Sequence, residues 1–541
     1  MILKKLPANL KTLILIYLIF IILLITGLKS FKDFGIYGDE PIHRWIGSIY
    51  YLHIKEIIFN FNFNNEFLDE INNLYKDEYL KLWVQYPIFF DLFTEFLVDI
   101  FNIKTSKSIF ELRHITNFII FYISLVFLFK LLKKRFGSNV LSILGVLLVF
   151  LSPRIFSESF YNSKDILFLS LSVINLYYSY KFINSQNKKN LIFYSLSAGL
   201  LINSRVMGLF FPILTFSFII FEILESKYFL RDKLIKILIS FIIIFFIVFL
   251  FWPFMWTNTV DKFLFYLNFV QQNLGVFTNT YFGETILSTQ TPWHFRFIWI
   301  SITIPILVIL FSMLGFIKIF VTLIKNISNL EKTNKLWLSK FERFDFFIFI
   351  LFFFPLLSLL KFTNSFDGWR HYYYIYPLLI YFNILFLKNL KISNKNLYKL
   401  CIFLITVNLS LVGDWMIKNH PHQYTYFNFI KRNIIKKNFN VDYMGLSLNH
   451  ALNHILLNDE RDKISVSSLG ETSIEGSSLI LSKDDQERLK FVNYKDADYI
   501  INTFRPRVGK KILIDTNNFS KYYDLIIDNN LVNRIYKRKE F

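Results

Sequence analysis

The chain has a single cysteine among 541 residues, Cys401, and it lies inside an apolar run. A disulfide within the chain needs two cysteines and a thiolate metal site needs several, so the sequence excludes both. The sequence also lacks a P-loop, a G-x-G-x-x-G turn or a G-x-S-x-G elbow in the strand–turn–helix setting that gives such motifs meaning. Nucleotide-binding and serine-hydrolase classes therefore have no support.

Charged residues are scarce, at 18%, whereas 54% of the residues are hydrophobic. A soluble protein of this length could not hide so much apolar surface in one core. Apolar runs recur that reach about 18 residues, enough to cross the hydrocarbon layer of a bilayer. The sequence therefore predicts an all-α polytopic membrane protein.

Eleven membrane spans are predicted from the apolar runs. They are Leu10–Leu28, Ile115–Leu132, Val140–Leu151, Ile166–Tyr180, Leu191–Ile202, Val206–Leu224, Leu234–Phe251, Phe295–Ile324, Phe346–Leu360, Tyr372–Leu387 and Leu400–Val412. Basic residues precede the first span and no small-residue cleavage site follows it, so we interpret it as an anchor with a cytoplasmic N-terminus.

The net charge of +20 is explained by the loops between spans. Basic residues gather after the even-numbered spans, as in Lys133-Lys134-Arg135, and this pattern is typical of loops on the cytoplasmic side. The opposite face then receives residues 30–114, a first extracytoplasmic loop with amphipathic helices. A nucleic-acid partner is not expected, because no basic patch carries interleaved aromatic residues.

We expect a transmembrane domain over residues 1–418 and a small extracytoplasmic α/β domain over residues 419–541. Strands are predicted in the second domain at Lys463–Ser467, Tyr499–Thr503 and Leu525–Tyr536. Asp496-Ala497-Asp498 spells the D-x-D of nucleotide-sugar enzymes, but without a Rossmann unit around it we interpret it as a turn before a strand.

Asp39 and Glu40 are adjacent carboxylates just past the first span. An acid pair at a membrane surface is suited to general base catalysis, and it is equally suited to a solvated turn at the end of a span. Asp33, Glu56 and Glu66 are alternative bases in the same loop.

Four basic residues fall on the same predicted face and are suited to stabilising a phosphate. They are Arg154, Lys164, Arg205 and Arg370. Arg205 stands at a break between two apolar runs, where a charge needs a partner. That partner is either a phosphate or, in the simpler interpretation, the carboxylate of Glu158 or Asp165.

His371, His420 and His422 also fall on this face. Carboxylates together with imidazoles can hold a divalent ion, but neutral packing at the membrane interface is the favoured interpretation. We therefore predict no cofactor and assign no metal ligands, and dependence on a divalent metal stays open.

Asp39-Glu40 with His43 is similar to the signature of membrane-embedded C-type (GT-C) glycosyltransferases. Within them it resembles the protein O-mannosyltransferase and lipid A aminoarabinose transferase superfamily, in a poorly characterised bacterial branch. Further strings resemble motifs of this group in the same order over residues 10–450. They are Trp83-Val84-Gln85-Tyr86-Pro87, Glu158-Ser159-Phe160-Tyr161-Asn162-Ser163-Lys164-Asp165, Ser204-Arg205-Val206-Met207-Gly208, Pro292-Trp293-His294-Phe295, Asp367-Gly368-Trp369-Arg370-His371, and His420 to Asn428 followed by Asp442-Tyr443-Met444-Gly445-Leu446-Ser447.

The resemblance implies a GT-C fold and an inverting glycosyltransferase in the plasma membrane. Its donor would be a polyprenyl-phosphate sugar, and its acceptor a hydroxyl of a glycan, lipid or protein on the extracytoplasmic face. Asp39 would be the base and Glu40 would orient the site, while Arg205 would hold the donor phosphate, helped by Arg154, Lys164 or Arg370. Substrate contacts are expected from His43, Tyr86, Asp165, Trp293, His294 and His371. Departures from the group, such as Arg205 in place of a commoner lysine, leave the sugar and acceptor open.

Two other functions fit a polytopic chain of this kind. One is a flippase or transporter for a lipid-linked glycan, which would carry charges in the span centres along a path. The other is a noncatalytic subunit of an envelope glycan complex. The charges crowd one face instead of the span interiors, so the sequence favours the glycosyltransferase.

Overall fold

The computed structural model describes residues 8–60, 84–226, 230–271, 276–333, 336–361, 364–428, 430–470, 472–505 and 514–539. Helices make up most of the first 418 residues. They are α1 (Ala8–Ser30), α2 (Glu40–Asn60), α3 (Phe89–Ile100), α4 (Ser106–Phe136), α5 (Asn139–Phe150), α6 (Pro153–Tyr161), α7 (Asp165–Asn184), α8 (Lys188–Ser204), α9 (Phe210–Ser226), α10 (Leu230–Leu250), α11 (Thr259–Gln271), α12 (Phe295–Thr303), α13 (Ile306–Ser328), α14 (Leu330–Thr333), α15 (Lys340–Lys361), α16 (Tyr376–Ser393) and α17 (Lys395–Lys418). A short hairpin, β1 (Thr278–Tyr281) and β2 (Glu284–Leu287), lies between α11 and α12.

Within the described ranges, eight helices are long and apolar enough to cross a membrane, and the bent pair α5 and α6 would make a ninth. The bend is 66°, and α6 begins with Pro153, whose ring suits the first turn of a helix. The predicted spans Leu191–Ile202 and Phe346–Leu360 do form helices, α8 and α15, but neither is among the eight.

The predicted span Phe295–Ile324 is wrong in its first part. The helix that starts at Phe295 ends at Thr303, and a separate helix begins at Ile306. Pro305 lies between them, and proline lacks the amide hydrogen that would continue the first helix. The spanning segment is therefore α13 alone.

The centre and the periphery of the bundle differ in burial. In the apolar window of α7, 83% of residues are buried, against 11% in that of α10. The central helices are joined by short polar side chains as well as by apolar packing: Asn175 Nδ2 donates to Ser197 Oγ at 3.0 Å. Such small polar contacts bring membrane helices close together, so α7 and α8 form a rigid support for the groups at their ends.

The first loop contains α2 and α3, as the amphipathic pattern predicts, and residues 61–83 of it lie outside the described part. The two helices cross closely at Gly47, where a Cβ atom would come within 2.5 Å of Asp91 Cβ. Only glycine permits this approach, which brings Asp91 of α3 into contact with α2.

After α17, the described residues form a small mixed domain. Its helices are α18 (Arg432–Asn438), α19 (Ser447–Asn458), α20 (Ile474–Ser478) and α21 (Lys483–Arg488), and its strands are β3 (Ile464–Ser468), β4 (Leu489–Phe491), β5 (Tyr499–Asn502), β6 (Phe519–Ile527) and β7 (Asn530–Arg538). The sheet order is β4-β3-β5-β7-β6, with β3 parallel to β4 and β5 and the remaining pairs antiparallel.

The predicted strand Leu525–Tyr536 is in fact the hairpin of β6 and β7. Asp528 and Asn529 turn the chain with φ of 50° and 60°, a left-handed pair that favours tight hairpins. The interpretation of Asp498 as part of a turn is confirmed: it precedes β5, and its carboxylate accepts a hydrogen bond from Ser465 N at 3.0 Å.

Candidate active site

The two carboxylates of the acid pair point to different surroundings. Glu40 is the first residue of α2 and only 1% exposed. Its Oε1 lies 3.7 Å from Arg113 Nε and its Oε2 lies 3.3 Å from His114 Nε2. Asp39, one residue earlier, keeps 35% of its side chain exposed. Glu40 is therefore part of a buried ion pair, and its expected role in orienting the site stays a prediction, whereas the carboxylate of Asp39 is partly accessible.

Arg370 gathers three carboxylates around its guanidinium group. Its Nη2 lies 3.0 Å from Asp367 Oδ2, and its Nη1 lies 3.2 Å from Asp165 Oδ2. The third distance, from Nη2 to Asp39 Oδ2, is the longest at 3.6 Å. Asp165 and Asp367 are buried, so Asp39 is both the most weakly paired and the most accessible of the three.

Arg205, at the C-terminal end of α8, forms an ion pair with the Oδ1 atom of Asp165. The simpler interpretation of Arg205, a carboxylate partner, is thus confirmed for Asp165. Asp165 also accepts a hydrogen bond from Asn162 Nδ2 at 3.0 Å and has no exposed side-chain surface. Asp165 therefore pairs with two arginines, Arg205 and Arg370, and its expected contact with a substrate stays a prediction.

Lys164 lies beside the same region. Its Nζ donates to Pro87 O at 3.2 Å, lies 3.6 Å from Asp91 Oδ2 and 5.9 Å from the centre of the Tyr86 ring. Burial lowers the pKa of the Lys164 ammonium group, and the carboxylate of Asp91 opposes that shift. Lys164 is a secondary cation here, since protein groups already hold its ammonium group.

Tyr86 and His43 are influenced by the charges of the cluster. Burial raises the pKa of the Tyr86 hydroxyl, and the charges of Arg205, Asp39 and Arg370 also act on it. Burial lowers the pKa of His43 well below 6.5, and the surrounding cations lower it further. His43 is therefore a neutral imidazole at physiological pH.

The charge state of Asp39 follows from the same surroundings. Burial raises the pKa of its carboxyl group above the usual 3.8, Arg370 pulls the pKa down, and Asp367 pushes it up. A carboxylate with a raised pKa is a stronger base than a free aspartate, which suits it to accept a proton from a hydroxyl group.

A left-handed turn presents Arg370. Asp367 has a φ of 54° and Gly368 a φ of 69°, and the turn packs on the Trp299 ring, 3.4 Å from where a Cβ of Gly368 would stand. Asp367, which pairs with Arg370 and Arg505, is a member of the cluster that the predicted site omitted. Its Asp-Gly sequence, typical of a tight turn, was the available signal.

The small C-terminal domain holds the Asp39 loop from outside. Met444 O accepts a hydrogen bond from Gly38 N at 3.2 Å. Met444 belongs to a turn organised by Asp442, whose carboxylate accepts hydrogen bonds from Gly445 N and Ser447 N, each at 2.9 Å. Asp442 is buried, so this turn is a fixed support for the base.

Arg505 adds a third arginine to the cluster. Its Nη2 lies 3.0 Å from Asp367 Oδ1, and its Nη1 donates to Tyr443 O. Arg505 lies just past β5, far along the chain from the other members, and no sequence pattern pointed to it. It links the C-terminal domain to the turn that carries Arg370.

Arg154 lies outside the cluster formed by Arg205, Arg370 and Arg505 with their carboxylates. It is 2% exposed, its Nε donates to Tyr426 O at 3.2 Å, and its Nη1 donates to Tyr443 OH at 3.1 Å. Its guanidinium group also lies 5.4 Å from the ring centre of Trp299 and 5.0 Å from that of Phe427. This aromatic enclosure holds the helix α6 in place and buries Arg154, whose expected help in holding a donor phosphate stays a prediction.

Trp293 and His294 also lie apart from the charged cluster. His294 Nδ1 is hydrogen-bonded to Tyr281 OH at 2.7 Å, and Trp293 is exposed next to it. Across the described ranges, no hydrogen bond or ion pair joins either residue to Asp39 or Arg370. His371 follows Arg370 directly, and its ring packs against Phe366 with centres 4.8 Å apart. Of these three aromatic residues, only His371 borders the cluster.

Within the described residues, no group of three or more His, Cys, Asp or Glu side chains is arranged to hold a metal ion. His420 Nε2 is instead hydrogen-bonded to Asp33 Oδ2 at 2.8 Å.

Comparison with known proteins gives one family match and several structural matches. Residues 85–252 match the model of a family described as dolichyl-phosphate-mannose-protein mannosyltransferase. That segment contains Tyr86, Lys164, Asp165 and Arg205, and it starts after Asp39. No curated protein matches the sequence.

Among solved structures, apo ArnT from Cupriavidus metallidurans is similar over 98% of this chain and 98% of its own, with a TM-score of 0.50 and 9% identity. The apo oligosaccharyltransferase of Archaeoglobus fulgidus is similar over 92% of this chain, with a TM-score of 0.45 and 12% identity. The chain spans 60% to 66% of the length of the Archaeoglobus chains that it matches. The likeness to ArnT along the whole chain confirms the predicted polytopic GT-C fold with its small C-terminal sheet domain.

Proposed function

We propose that the protein is an inverting glycosyltransferase that moves a sugar from a polyprenyl-phosphate donor to an acceptor hydroxyl at the extracytoplasmic face. One observation carries the proposal. The accessible carboxylate of Asp39 lies 3.6 Å from Arg370, Arg370 and Arg205 share Asp165 as a partner, and Asp165 and Asp367 are buried. An accessible carboxylate next to two cations is what direct displacement of a phosphate requires.

The proposed reaction has one chemical step. The acceptor oxygen bonds to the anomeric carbon while Asp39 takes the hydroxyl proton. The bond between that carbon and the phosphate oxygen breaks, and polyprenyl phosphate leaves with an added negative charge. Arg205 and Arg370 stabilise this charge as it develops. Attack opposite the leaving group inverts the anomeric configuration, so one base is sufficient.

The arginines have unused donors for a phosphate. Arg205 Nε and Arg370 Nε are buried and have no hydrogen-bond partner among the described residues. A guanidinium group carries five N–H donors in a fixed plane, so each arginine can keep Asp165 as a partner and bind a phosphate oxygen as well. Arg154 Nη2 is likewise buried without a hydrogen-bond partner in the described part of the chain, so this observation is compatible with a bound phosphate at Arg205 and Arg370 but does not by itself locate it.

The donor class and the membrane face have separate support. The matching family is described by a dolichyl-phosphate-linked sugar, which favours a lipid-phosphate donor. The site lies where α7, α8 and the turn before α16 meet the loop after α1, and the basic loops lie at the other ends of these spans. Under the positive-inside rule, this arrangement supports the proposal that the cluster faces the extracytoplasmic side of the plasma membrane.

The test compares intact masses of envelope glycolipids and glycoproteins from cells that carry the wild-type chain, the Asp39→Asn variant or no copy. We expect a sugar-sized mass difference on one acceptor with the wild type, and its loss with Asp39→Asn and with no copy. Asp414→Asn is the matched control, because Asp414 is exposed and pairs only with Lys418 on the same helix; it should retain the product.

Two results would contradict the proposal in different ways. Near-full product with Asp39→Asn, at equal protein level, would show that Asp39 is not the base. Identical masses with and without the wild-type chain would show that the protein transfers no sugar to these acceptors, and flux of a lipid-linked glycan across proteoliposomes would then favour the flippase.

A further inference from the structure

A cavity of about 280 Å³ lies outside the charged cluster. It is enclosed by residues 33–35 after α1, residues 421–424 after α17, and one face of α19 from the C-terminal domain. We call it the histidine groove. Its size approaches that of small-molecule sites, which begin at about 300 Å³.

One face of α19 supplies much of the polar lining. Asn449, His450, Asn453, His454 and Leu457 line the groove, at the spacing that places residues on one side of a helix. Two carboxamides and two imidazoles therefore point to the same space. Each carboxamide offers both donors and acceptors, as a neutral imidazole does.

The groove carries little charge. Burial lowers the pKa of His422 to about 3, with His450 and His420 adding to the shift, and burial also lowers the pKa of His450. These imidazoles are neutral at physiological pH. The carboxylate of Asp33 is hydrogen-bonded to His420 Nε2 at 2.8 Å. No lysine or arginine is among the lining residues, so a phosphate or another anion has no cation to bind there.

Aromatic rings support the polar groups. The Tyr523 ring stacks on His454 with centres 3.8 Å apart, and His450 Nε2 is hydrogen-bonded to Tyr523 OH at 3.3 Å. On the other wall, His422 Nδ1 is hydrogen-bonded to Tyr424 OH at 3.2 Å. These contacts fix the imidazoles before a ligand arrives.

We infer that the histidine groove is a binding site for a neutral saccharide. Closely spaced hydroxyl groups need donors and acceptors side by side, which the carboxamides and imidazoles provide, and the ring faces suit the C–H surface of a sugar. Peptides are recognised by sheet edges, apolar grooves or arginine clusters, and the lining contains none of these.

The groove also lies near the proposed base. Asp33 lines it and Asp39 follows six residues later, so the chain between them spans at most about 20 Å. This step rests on the proposed function: the saccharide is part of the acceptor. The sugar units beyond the reacting hydroxyl then occupy the groove. The acceptor is then a glycan or a glycolipid.

The test is an array of neutral hexose and N-acetylhexosamine oligosaccharides, with unglycosylated peptides and phosphorylated sugars on the same surface, probed with the purified full-length protein. The variants are Asn453→Ala and, as matched control, Asn458→Ala. Both asparagines donate to a backbone oxygen four residues earlier on α19, at 2.9 Å and 2.7 Å, but only Asn453 lines the groove.

We expect the wild type and Asn458→Ala to retain the same neutral oligosaccharides, and Asn453→Ala to bind them about tenfold more weakly, as loss of one or two hydrogen bonds predicts. Retention of peptides or phosphorylated sugars alone, no retention by the wild type, or equal weakening by both variants would overturn the inference. Asp39→Asn should bind the array like the wild type. Glycan binding without any transfer would therefore refute the proposed function and leave the groove assignment intact.

Discussion

The two ends of the helix bundle each carry a cluster of buried charges, and only one cluster is open. At the end with the basic loops, Arg135 Nε donates to Asp345 Oδ1 at 2.7 Å, and Arg135 Nη2 and the Tyr381 hydroxyl also donate to the Asp345 carboxylate. At the other end, Asp39 has a single ion-pair contact, at 3.6 Å from Arg370, and 35% of its side chain is exposed.

The difference separates an ion pair whose carboxylate is fully engaged from one whose carboxylate stays accessible. Asp345 has partners for both of its oxygens and is almost fully buried, so nothing can approach it and its charge serves to hold α15, α16 and α4 together. Asp39 is held by a turn and by its backbone, whereas its carboxylate stays accessible. Buried charge alone does not indicate catalysis, because both ends have it.

The largest effect is expected for Asp39→Asn, which tests whether the accessible carboxylate differs in function from the buried Asp345. The amide cannot accept the hydroxyl proton as a base, so we expect sugar transfer to fall by about 10² to 10⁴, the usual contribution of a general base. The thermal unfolding midpoint should stay close to that of the wild type, because Asp39 has only one long ion pair to lose. A large fall in the thermal unfolding midpoint with unchanged turnover would show that Asp39 stabilises the fold and does not act as the base.

Asp345→Asn should behave in the opposite way. The variant leaves the Arg135 charge buried without its counter-ion, which we expect to lower the free energy of unfolding by about 3 kcal/mol. Transfer per folded molecule should be unchanged, since Asp345 lies at the far end of the bundle. Asp232→Asn, exposed and paired with Lys236, is the control and should change neither quantity. Loss of turnover in folded Asp345→Asn would show that the two clusters are coupled.

The pH dependence of transfer should report the charges around Asp39. Activity needs the ionised carboxylate, so the acidic limb of kcat/KM follows the pKa of Asp39. Arg370 lowers that pKa and Asp367 raises it. Arg370→Gln should therefore move the limb to higher pH, and Asp367→Asn should move it to lower pH, whatever each does to the maximum rate. Shifts in the same direction would contradict the assignment of Asp39 as the titrating base.

Sequence reasoning located the site because topology alone gathers Asp39, Asp165, Arg205 and Arg370 on one face. Alternation of apolar runs and basic loops was enough for that, and these four groups do meet. The resemblance implied different roles for Asp39 and Glu40, but the residues alone did not show which carboxylate is buried, since that depends on a helix that begins at Glu40 and buries its side chain.

Other parts needed three-dimensional information. Arg505 reaches Asp367 from a domain that has no periodic link to the membrane helices, so its role has no sequence signature. The aromatic enclosure of Arg154 is formed by residues from three distant segments. The break at Pro305 was missed by the sequence analysis although its signal was present, because a proline inside an apolar run favours a helix end.

The smallest expected effect concerns the left-handed turn at Asp367 and Gly368, which presents Arg370 next to Asp39. Gly368 has a φ of 69°, where an alanine is strained by about 1–2 kcal/mol. Gly368→Ala should therefore lower stability by about that amount, and it should reduce transfer only a few-fold, because Arg370 keeps Asp165 as an anchor. Gly413→Ala is the matched control: Gly413 is helical and no atom lies within 4 Å of its added Cβ, so this variant should be neutral or slightly stabilising. If Gly368→Ala were equally neutral by thermal unfolding and by transfer rate, the left-handed turn would not be what positions Arg370 beside Asp39.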